Sequence, residues 1–230
     1  MKERLVKELL NKVQADYDLI AKNFDHTRQR QWNEMSDVLE YIKDGDKVLD
    51  WGCGNGRFYE VVQDKNVDYL GIDNCKPLIE IAQEKYPNTE WQAISELPAK
   101  KFDVITAFAS WHHIPSKKLR TAKLQEFYNH LERGGLLILT TWNLKQKKYL
   151  WLWIKNNFRN IFTDYEWNDI LVPWKAEDKP IKRYYHDYCQ PTLKKEFGQV
   201  GFQIKECYYS DKGEHVNWWK GKNLVIIAKK

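Results

Sequence analysis

The chain lacks any run of apolar residues long enough to span a bilayer, so a transmembrane segment is not expected. Its longest apolar stretch, Leu136–Leu139 with its neighbours, has the length of a strand. Residues 1–20 are charged and amphipathic with no continuous apolar core, so they do not read as a secretory signal. Cysteine is scarce. The 4 residues Cys53, Cys75, Cys189 and Cys207 are scattered, with no C-x-x-C spacing. That argues against a zinc site and against a disulfide framework, and reduced thiols in a cytoplasmic protein fit best. No internal repeat and no low-complexity segment appears.

What is present is the material of one domain. At 230 residues the chain can bury a proper core without metal or disulfide staples. Apolar residues make up 43% and charged residues 30%, ordinary values for a globular protein. Tryptophan is not ordinary: there are 11, most of them outside the central third. Their placement gives the flanking segments special packing or stacking surfaces. The net charge of +5 is a mild basic excess. It fits a solvated surface as well as a polyanion partner.

Apolar residues at helical spacing predict a helix over 3–21 and a second over 32–43. Short apolar runs at 47–51, 68–73, 91–94, 102–108 and 136–142 predict five strands. Helices over 57–63, 77–85 and 117–132 separate them, the last ended by Gly134-Gly135. Strands alternating with helices argue for an α/β fold, a mostly parallel sheet with helices on both faces. Residues 143–190 break this rhythm and read as a partly helical insertion over the carboxyl edge of the sheet. A helix over 192–200 and an antiparallel strand pair at 202–210 and 224–228 close the chain. The expected organisation is a single domain: a helical cap (1–44), a cofactor-binding core (45–142), a substrate-side insertion (143–190) and a C-terminal helix and strand pair (191–230).

The strongest local signal is Asp50-Trp51-Gly52-Cys53-Gly54-Asn55-Gly56, directly after the first strand. Glycines there let the backbone turn sharply and approach a ligand closely. The spacing is D-x-G-x-G-x-G rather than the G-x-G-x-x-G of dinucleotide sites. Its leading acid suits a cationic ligand such as a sulfonium and would repel a pyrophosphate. Asp73, at the end of the second strand, can accept both hydroxyls of a ribose. Together these point to S-adenosylmethionine, against the blander reading of a tight turn with two solvent-facing aspartates. Cys53 reads as a small filler of the turn. After the fourth strand comes Ala109-Ser110-Trp111-His112-His113-Ile114. No third ligand stands at metal spacing, so no metal is expected. One histidine is expected to pack and the other to face the pocket.

These motifs resemble the class I methyltransferases, and the flanks resemble one family among them, the tRNA wobble-uridine carboxymethyl methyltransferases. The resemblance rests on Tyr17-Asp18-Leu19-Ile20-Ala21-Lys22-Asn23-Phe24 followed by Thr27-Arg28 and Trp32. It continues through Trp111-His112-His113, Glu132-Arg133-Gly134-Gly135 and Val172-Pro173-Trp174. It closes with Arg183-Tyr184-Tyr185-His186 and Asn217-Trp218-Trp219. The class I motifs are shared by many unrelated enzymes; the later elements are more specific, and together they span almost the whole chain. Departures are Trp51 where a small aliphatic residue is usual, Ala93 where an acid is common near the adenine, and a polar insertion at 212–215.

The resemblance implies a Rossmann-like fold with a seven-stranded sheet and a final antiparallel strand. It implies methylation of the carboxylate of 5-carboxymethyluridine, with tRNA and a small zinc-binding activator subunit as partners. Such an acceptor is ionised at neutral pH and needs no general base. It needs a cation to hold it in line with the methyl donor. Arg28, Arg183 and His186 are the candidates, arginine being favoured for its bidentate grip on carboxylates. The expected cofactor set is Tyr17, Arg28, Asp50, Gly52, Cys53, Gly54, Gly56, Asp73, Asn74, Ile94 and Ala109. His112, Trp142, Trp174, Arg183, Tyr184 and Tyr185 are expected to wall the acceptor pocket. Tyr184 and Tyr185 could stack a flipped-out base or simply pack. Lys145, Lys147, Lys148, Lys155 and Arg159 could meet anticodon phosphates. Two other readings stay open: a methyltransferase for small metabolites, and a non-catalytic cofactor- or RNA-binding protein.

Overall fold

Adjacent residues of the first strand already define a two-faced sheet. Val48 packs into one apolar cluster and Leu49 into another, both fully buried. That is the period-two alternation of a strand covered on both sides. The computed structural model describes residues 1–27, 32–175 and 180–230. Five strands, β1 (Lys47–Trp51), β2 (Asp68–Ile72), β3 (Glu90–Gln92), β4 (Phe102–Phe108) and β5 (Leu131–Trp142), pair in parallel. The later strands β8 (Gln203–Asp211), β9 (Glu214–Val216) and β10 (Asn223–Lys229) join antiparallel. The order across the sheet is β3-β2-β1-β4-β5-β10-β8-β9. The direction of winding reverses between β1 and β4, which opens a crevice at their carboxyl ends.

Helices α3 (Arg57–Val62) and α4 (Lys76–Lys85) supply Phe58, Val62, Ile79 and Ala82 to one face. Helices α5 (Lys117–His130) and α7 (Gln190–Val200) supply Leu124, Phe127, Leu193 and Phe197 to the other. Among the described residues, no helix is long and apolar enough to cross a membrane.

Several expectations need correction. The sheet has eight strands rather than seven. The polar insertion forms a hairpin: Lys212 (φ +57°) and Gly213 (φ +89°) make its two-residue turn, and β9 pairs back onto β8. Next, Gly134-Gly135 does not end α5, which stops at His130; both glycines lie inside β5. A Cβ on Gly135 would stand 2.8 Å from the Asp103 carbonyl, so glycine is what lets β5 close on β4. Last, the insertion holds one helix, α6 (Leu150–Asn160), and a separate antiparallel hairpin, β6 (Asp169–Lys175) with β7 (Pro180–His186). The first helix, α1 (Glu3–Thr27), also runs six residues beyond the predicted end, and the second element is a short helix, α2 (Asn33–Asp37), followed by a 3-10 turn over Val38–Tyr41.

Candidate active site

A cavity of about 740 Å³ opens at the carboxyl ends of β1, β2, β4 and β5, under α1 and the β6–β7 hairpin. Its floor is the glycine-rich turn. Gly52, Gly54 and Gly56 all take positive φ, and a Cβ on Gly52 would fall 2.4 Å from the Ser110 Cβ. The turn is held from two sides. Asn55 donates to Asp25 of α1 at 2.6 Å, and the Gly54 amide donates to Asp73 Oδ2 at 3.0 Å.

The two acids are pre-set by neighbours. Tyr69 and Thr106 each donate to the Asp50 carboxylate at 2.8 Å. Burial outweighs those bonds and pushes the Asp50 carboxyl up to about 7. Among the described residues no cation offsets it, which suits a cationic ligand in the cavity. Asp73 accepts from the Cys75 amide at 2.8 Å as well as from Gly54, so its oxygens are oriented by backbone and keep lone pairs for hydroxyl donors. Burial raises its carboxyl too.

Asn74, Ile94 and Ala109 line the same cavity, as do Cys53, Gly52 and Gly54. Ala109 holds φ +50° while its amide donates to Thr140, the kind of strained backbone found at binding sites. Cys53 is buried and its thiol is raised well above its ordinary value by that burial, so it is no ready nucleophile. Gly56 sits below the turn, against Trp91 and Tyr86, and is not among the lining residues.

The opposite wall is built by β7, and the period of a strand divides its residues. Arg183 and Tyr185 face the cavity. Tyr184 and His186 face away, onto Asp169, whose Oδ1 accepts from Tyr184 Oη and lies 2.7 Å from His186 Nδ1. They fasten the hairpin to a buried charged group in which Arg120 meets Glu166 at 3.1 Å and Glu196 at 3.8 Å. Neither reaches the cavity, so the acceptor roles considered for them from the sequence do not fit their placement. Glu166, Asp169 and His186 gather closely enough to suggest an ion site. Their atoms are already spent on one another, on Arg120, on Tyr184 and on the Lys117 amide.

Arg183 is 2% exposed yet has no carboxylate partner among the described residues. Its guanidinium is ringed by Trp174 at 4.3 Å, Tyr185 at 5.2 Å, Trp142 at 5.6 Å and Tyr17 at 5.8 Å. Cation–π contact offsets part of the desolvation cost and leaves the charge available to an anion. Nη1 donates to Tyr17 Oη at 3.2 Å, and Nε has no partner among the described residues. Tyr17 Oη in turn lies 2.8 Å from His113 Nε2, while His113 Nδ1 lies 2.8 Å from the Tyr184 carbonyl. A carbonyl only accepts, so Nδ1 carries the ring proton and Nε2 accepts from Tyr17. Burial and Arg183 push His113 down to about 3, and His112 well below its usual value. Both rings are neutral at physiological pH.

His112 stacks on Tyr185 (4.6 Å, 20°), and Tyr185 stacks on Trp142 (5.2 Å, 26°), forming an aromatic cluster on the cavity wall. Both histidines therefore border the cavity, where one was expected. Trp174 meets Arg183 but is not a lining residue. Arg28 lies outside the described residues. Sequence reasoning missed His113, Trp32, Ser110 and Asn223, all of which line the cavity. A 3-10 turn over Trp111–His113 carries both rings inward, and no local pattern announces that.

The family described as "Methyltransferase domain" matches residues 24–225. The chain is 28% identical, over 95% of its length and 96% of the other's, to the tRNA (carboxymethyluridine(34)-5-O)-methyltransferase of Schizosaccharomyces pombe. It is 26% identical to the tRNA (carboxymethyluridine(34)-5-O)-methyltransferase alkbh8 of Xenopus tropicalis, over 98% of this chain and 41% of that one. Among solved structures, a SAM-dependent methyltransferase from Methanosarcina mazei superposes with a TM-score of 0.69 at 20% identity, covering 84% of this chain and 96% of that one. At 20% identity this last likeness concerns the fold alone.

Proposed function

The chain belongs to the methyltransferase-domain family, and from there we propose that it methylates the carboxylate of 5-carboxymethyluridine at the tRNA wobble position, using S-adenosylmethionine. The observation that carries the reading is Arg183: a buried guanidinium, caged by aromatic rings, with no carboxylate partner and no partner for Nε among the described residues, on the wall of the cofactor cavity. The relatives named for this substrate support it.

The cavity fits the cofactor. Asp73 would take the ribose hydroxyls, Asp50 would balance the cationic methionine end, and the positive-φ glycines would let the backbone approach. When bound, the cofactor supplies a methyl group on a sulfonium. The chain's own work is placement. Arg183 holds one edge of the acceptor carboxylate, and Tyr17 and His113 fix the direction of that guanidinium. The aromatic cluster of Trp142, Tyr185 and His112 offers a ring face for the uracil. No proton has to leave a carboxylate oxygen that accepts a methyl group, which agrees with two histidines that stay neutral.

A zinc-binding activator subunit belongs to the same proposal; the open edge at β3 is a place for a partner strand to pair. So does a cytoplasmic location, where such a tRNA would be met. The test is digestion of tRNA to nucleosides after incubation with labelled cofactor. Label in the methyl ester of 5-carboxymethyluridine supports the proposal, and label in any other nucleoside refutes it.

A further inference from the structure

Helix α6 turns much of its apolar surface outward. Its buried side carries Asn156, Asn157 and Asn160, which bond mainly to backbone, with the Asn160 oxygen also accepting from the Arg159 guanidinium. Asn156 accepts from the Leu171 amide and Asn157 from the Asn168 amide, while Asn160 donates to the carbonyls of Glu166 and Asp169. Leu152 and Trp153 pack inward beside these asparagines, and the other apolar residues lie on the exposed side. Trp151 is 76% exposed, Phe162 75%, Phe158 66% and Ile161 60%, with Leu150 and Ile154 beside them. At roughly 100° of turn per residue the four within α6, Leu150, Trp151, Ile154 and Phe158, occupy an arc of about 100°, and Ile161 and Phe162 follow in the turn after the helix, where the Phe162 ring meets Phe158. An apolar arc of this size on a helix surface marks a binding face.

Charge and position say what it binds. From residue 145 to 163 there is no acidic residue. Lys147, Lys148 and Lys155 are exposed along the arc, with no ion pair among the described residues. A second copy would set like charges against each other. The lead-in to α6 forms part of the cavity wall through Gln146, Lys148 and Tyr149. It is locked there by Asn143, which donates to the carbonyls of Trp218 and Gly221 and accepts from Lys145. A cavity of about 740 Å³ has the size of a small-molecule site. An RNA acceptor can insert a nucleotide there and must lay the rest of its loop on the rim.

We propose that the exposed aromatic ridge of α6 and the turn after it, Trp151, Phe158 and Phe162, is a docking surface for the single-stranded loop of the acceptor RNA. The rings stack loop bases, and Lys147, Lys148 and Lys155 meet the flanking phosphates. The inference rests on the proposed function, since it takes RNA as the acceptor. It adds where the loop lies.

The test uses the full chain and a labelled RNA stem-loop carrying 5-carboxymethyluridine in its loop. Binding is followed by anisotropy and methyl transfer by nucleoside analysis, for the parent, Trp151→Ala, Phe158→Ala and the triple variant with Phe162→Ala. Each alanine should weaken RNA binding roughly ten-fold, the scale of one lost base–aromatic stack. KM for the stem-loop should rise while kcat at saturation and affinity for S-adenosylhomocysteine stay at parental values; the latter shows that the fold is kept. Variants that bind the stem-loop as tightly as the parent, while the parent methylates it, overturn the ridge and leave the function standing. The ridge is equally overturned if RNA affinity is unchanged and the substitutions instead abolish a dimer or the binding of a protein partner. A parent that binds the stem-loop without methylating it, with weaker binding by the variants, refutes the function and supports the ridge.

Discussion

Arg183 and Tyr17, 166 positions apart in the chain, meet at 3.2 Å inside the cavity, with Nη1 of the arginine donating to the phenol oxygen. The phenol passes its own proton toward His113 at 2.8 Å, so the insertion hairpin, the N-terminal helix and the end of β4 share one hydrogen-bonded line. The direction of the guanidinium is therefore set by three separate elements.

Arg183→Ala should reduce methyl transfer to the carboxylate acceptor by about 2–4 kcal/mol of transition-state stabilisation, the scale of losing a preorganised electrostatic partner. Affinity for S-adenosylhomocysteine should stay near the parental value. Arg183→Lys should recover only part of the rate, because an ammonium lacks the planar fork and the fit among four rings. Single-turnover transfer and calorimetric cofactor titration check both. Parental rates in both variants would make Arg183 a packing residue.

Tyr17→Phe keeps the ring against Phe24 and His113 and removes only the hydroxyl between Arg183 and His113. The expected loss is about 1–2 kcal/mol in kcat/KM. In a double-mutant cycle with Arg183→Ala the two losses should fall short of additive, since the hydroxyl acts through the guanidinium. Additive losses would place Tyr17 on the cofactor alone.

Cofactor affinity should depend on pH through Asp50. Its folded-state carboxyl is raised to about 7, so below that pH a cationic ligand must displace a proton to bind. Affinity should fall as pH drops from 8 to 6, and Asp50→Asn should flatten the profile. The same shift has a stability sign. A carboxyl raised on folding costs stability as pH rises from its ordinary value near 4 toward 7. Asp50→Asn should therefore raise the Tm of the ligand-free protein at pH 8. A flat affinity profile in the parent would contradict this. Asp73→Ala should weaken S-adenosylhomocysteine binding by about 1.5–3 kcal/mol at pH 8, through lost charged hydrogen bonds.

Neighbouring residues of β7 should separate function from stability. His186→Ala leaves Asp169 without one of its buried partners and should cost about 1–3 kcal/mol in denaturant unfolding. Tyr185→Ala should lower kcat/KM for the acceptor, because the ring stands between His112 and Trp142 on the cavity wall. A stable His186→Ala protein with no turnover would instead give His186 a direct role.

The cofactor half of the site was legible because its signals are local. A glycine-rich turn after β1 and acids at the ends of β1 and β2 can be read from spacing, and Asp50, Gly52, Gly54 and Asp73 all border the cavity. The acceptor half depends on contacts between distant segments. Arg183 was identified by residue type and resemblance, but its partner Tyr17 could not be read from either. Tyr184 and Tyr185 looked equivalent until the segment proved to be a strand, whose period sends one to Asp169 and the other to Trp142. The hairpin itself was hidden: Val172-Pro173-Trp174 carries a proline, which argues against a strand, and β6 accepts it in a two-stranded sheet. Helix α6 was legible only as part of a partly helical insertion, and which side faces inward was not, because Trp151, Ile154 and Phe158 face solvent while three asparagines face in.

The central claim is that Arg183 presents an acceptor carboxylate to the methyl donor. It is tested most directly by the alkali lability of the label that the parent enzyme transfers to tRNA. A methyl ester should be hydrolysed by mild base, releasing the label as methanol, and Arg183→Ala should produce little of this labile label while still binding S-adenosylhomocysteine. Label that resists base, sitting on a base nitrogen or a ribose oxygen, would contradict the account, as would an Arg183→Ala enzyme that forms the ester at the parental rate.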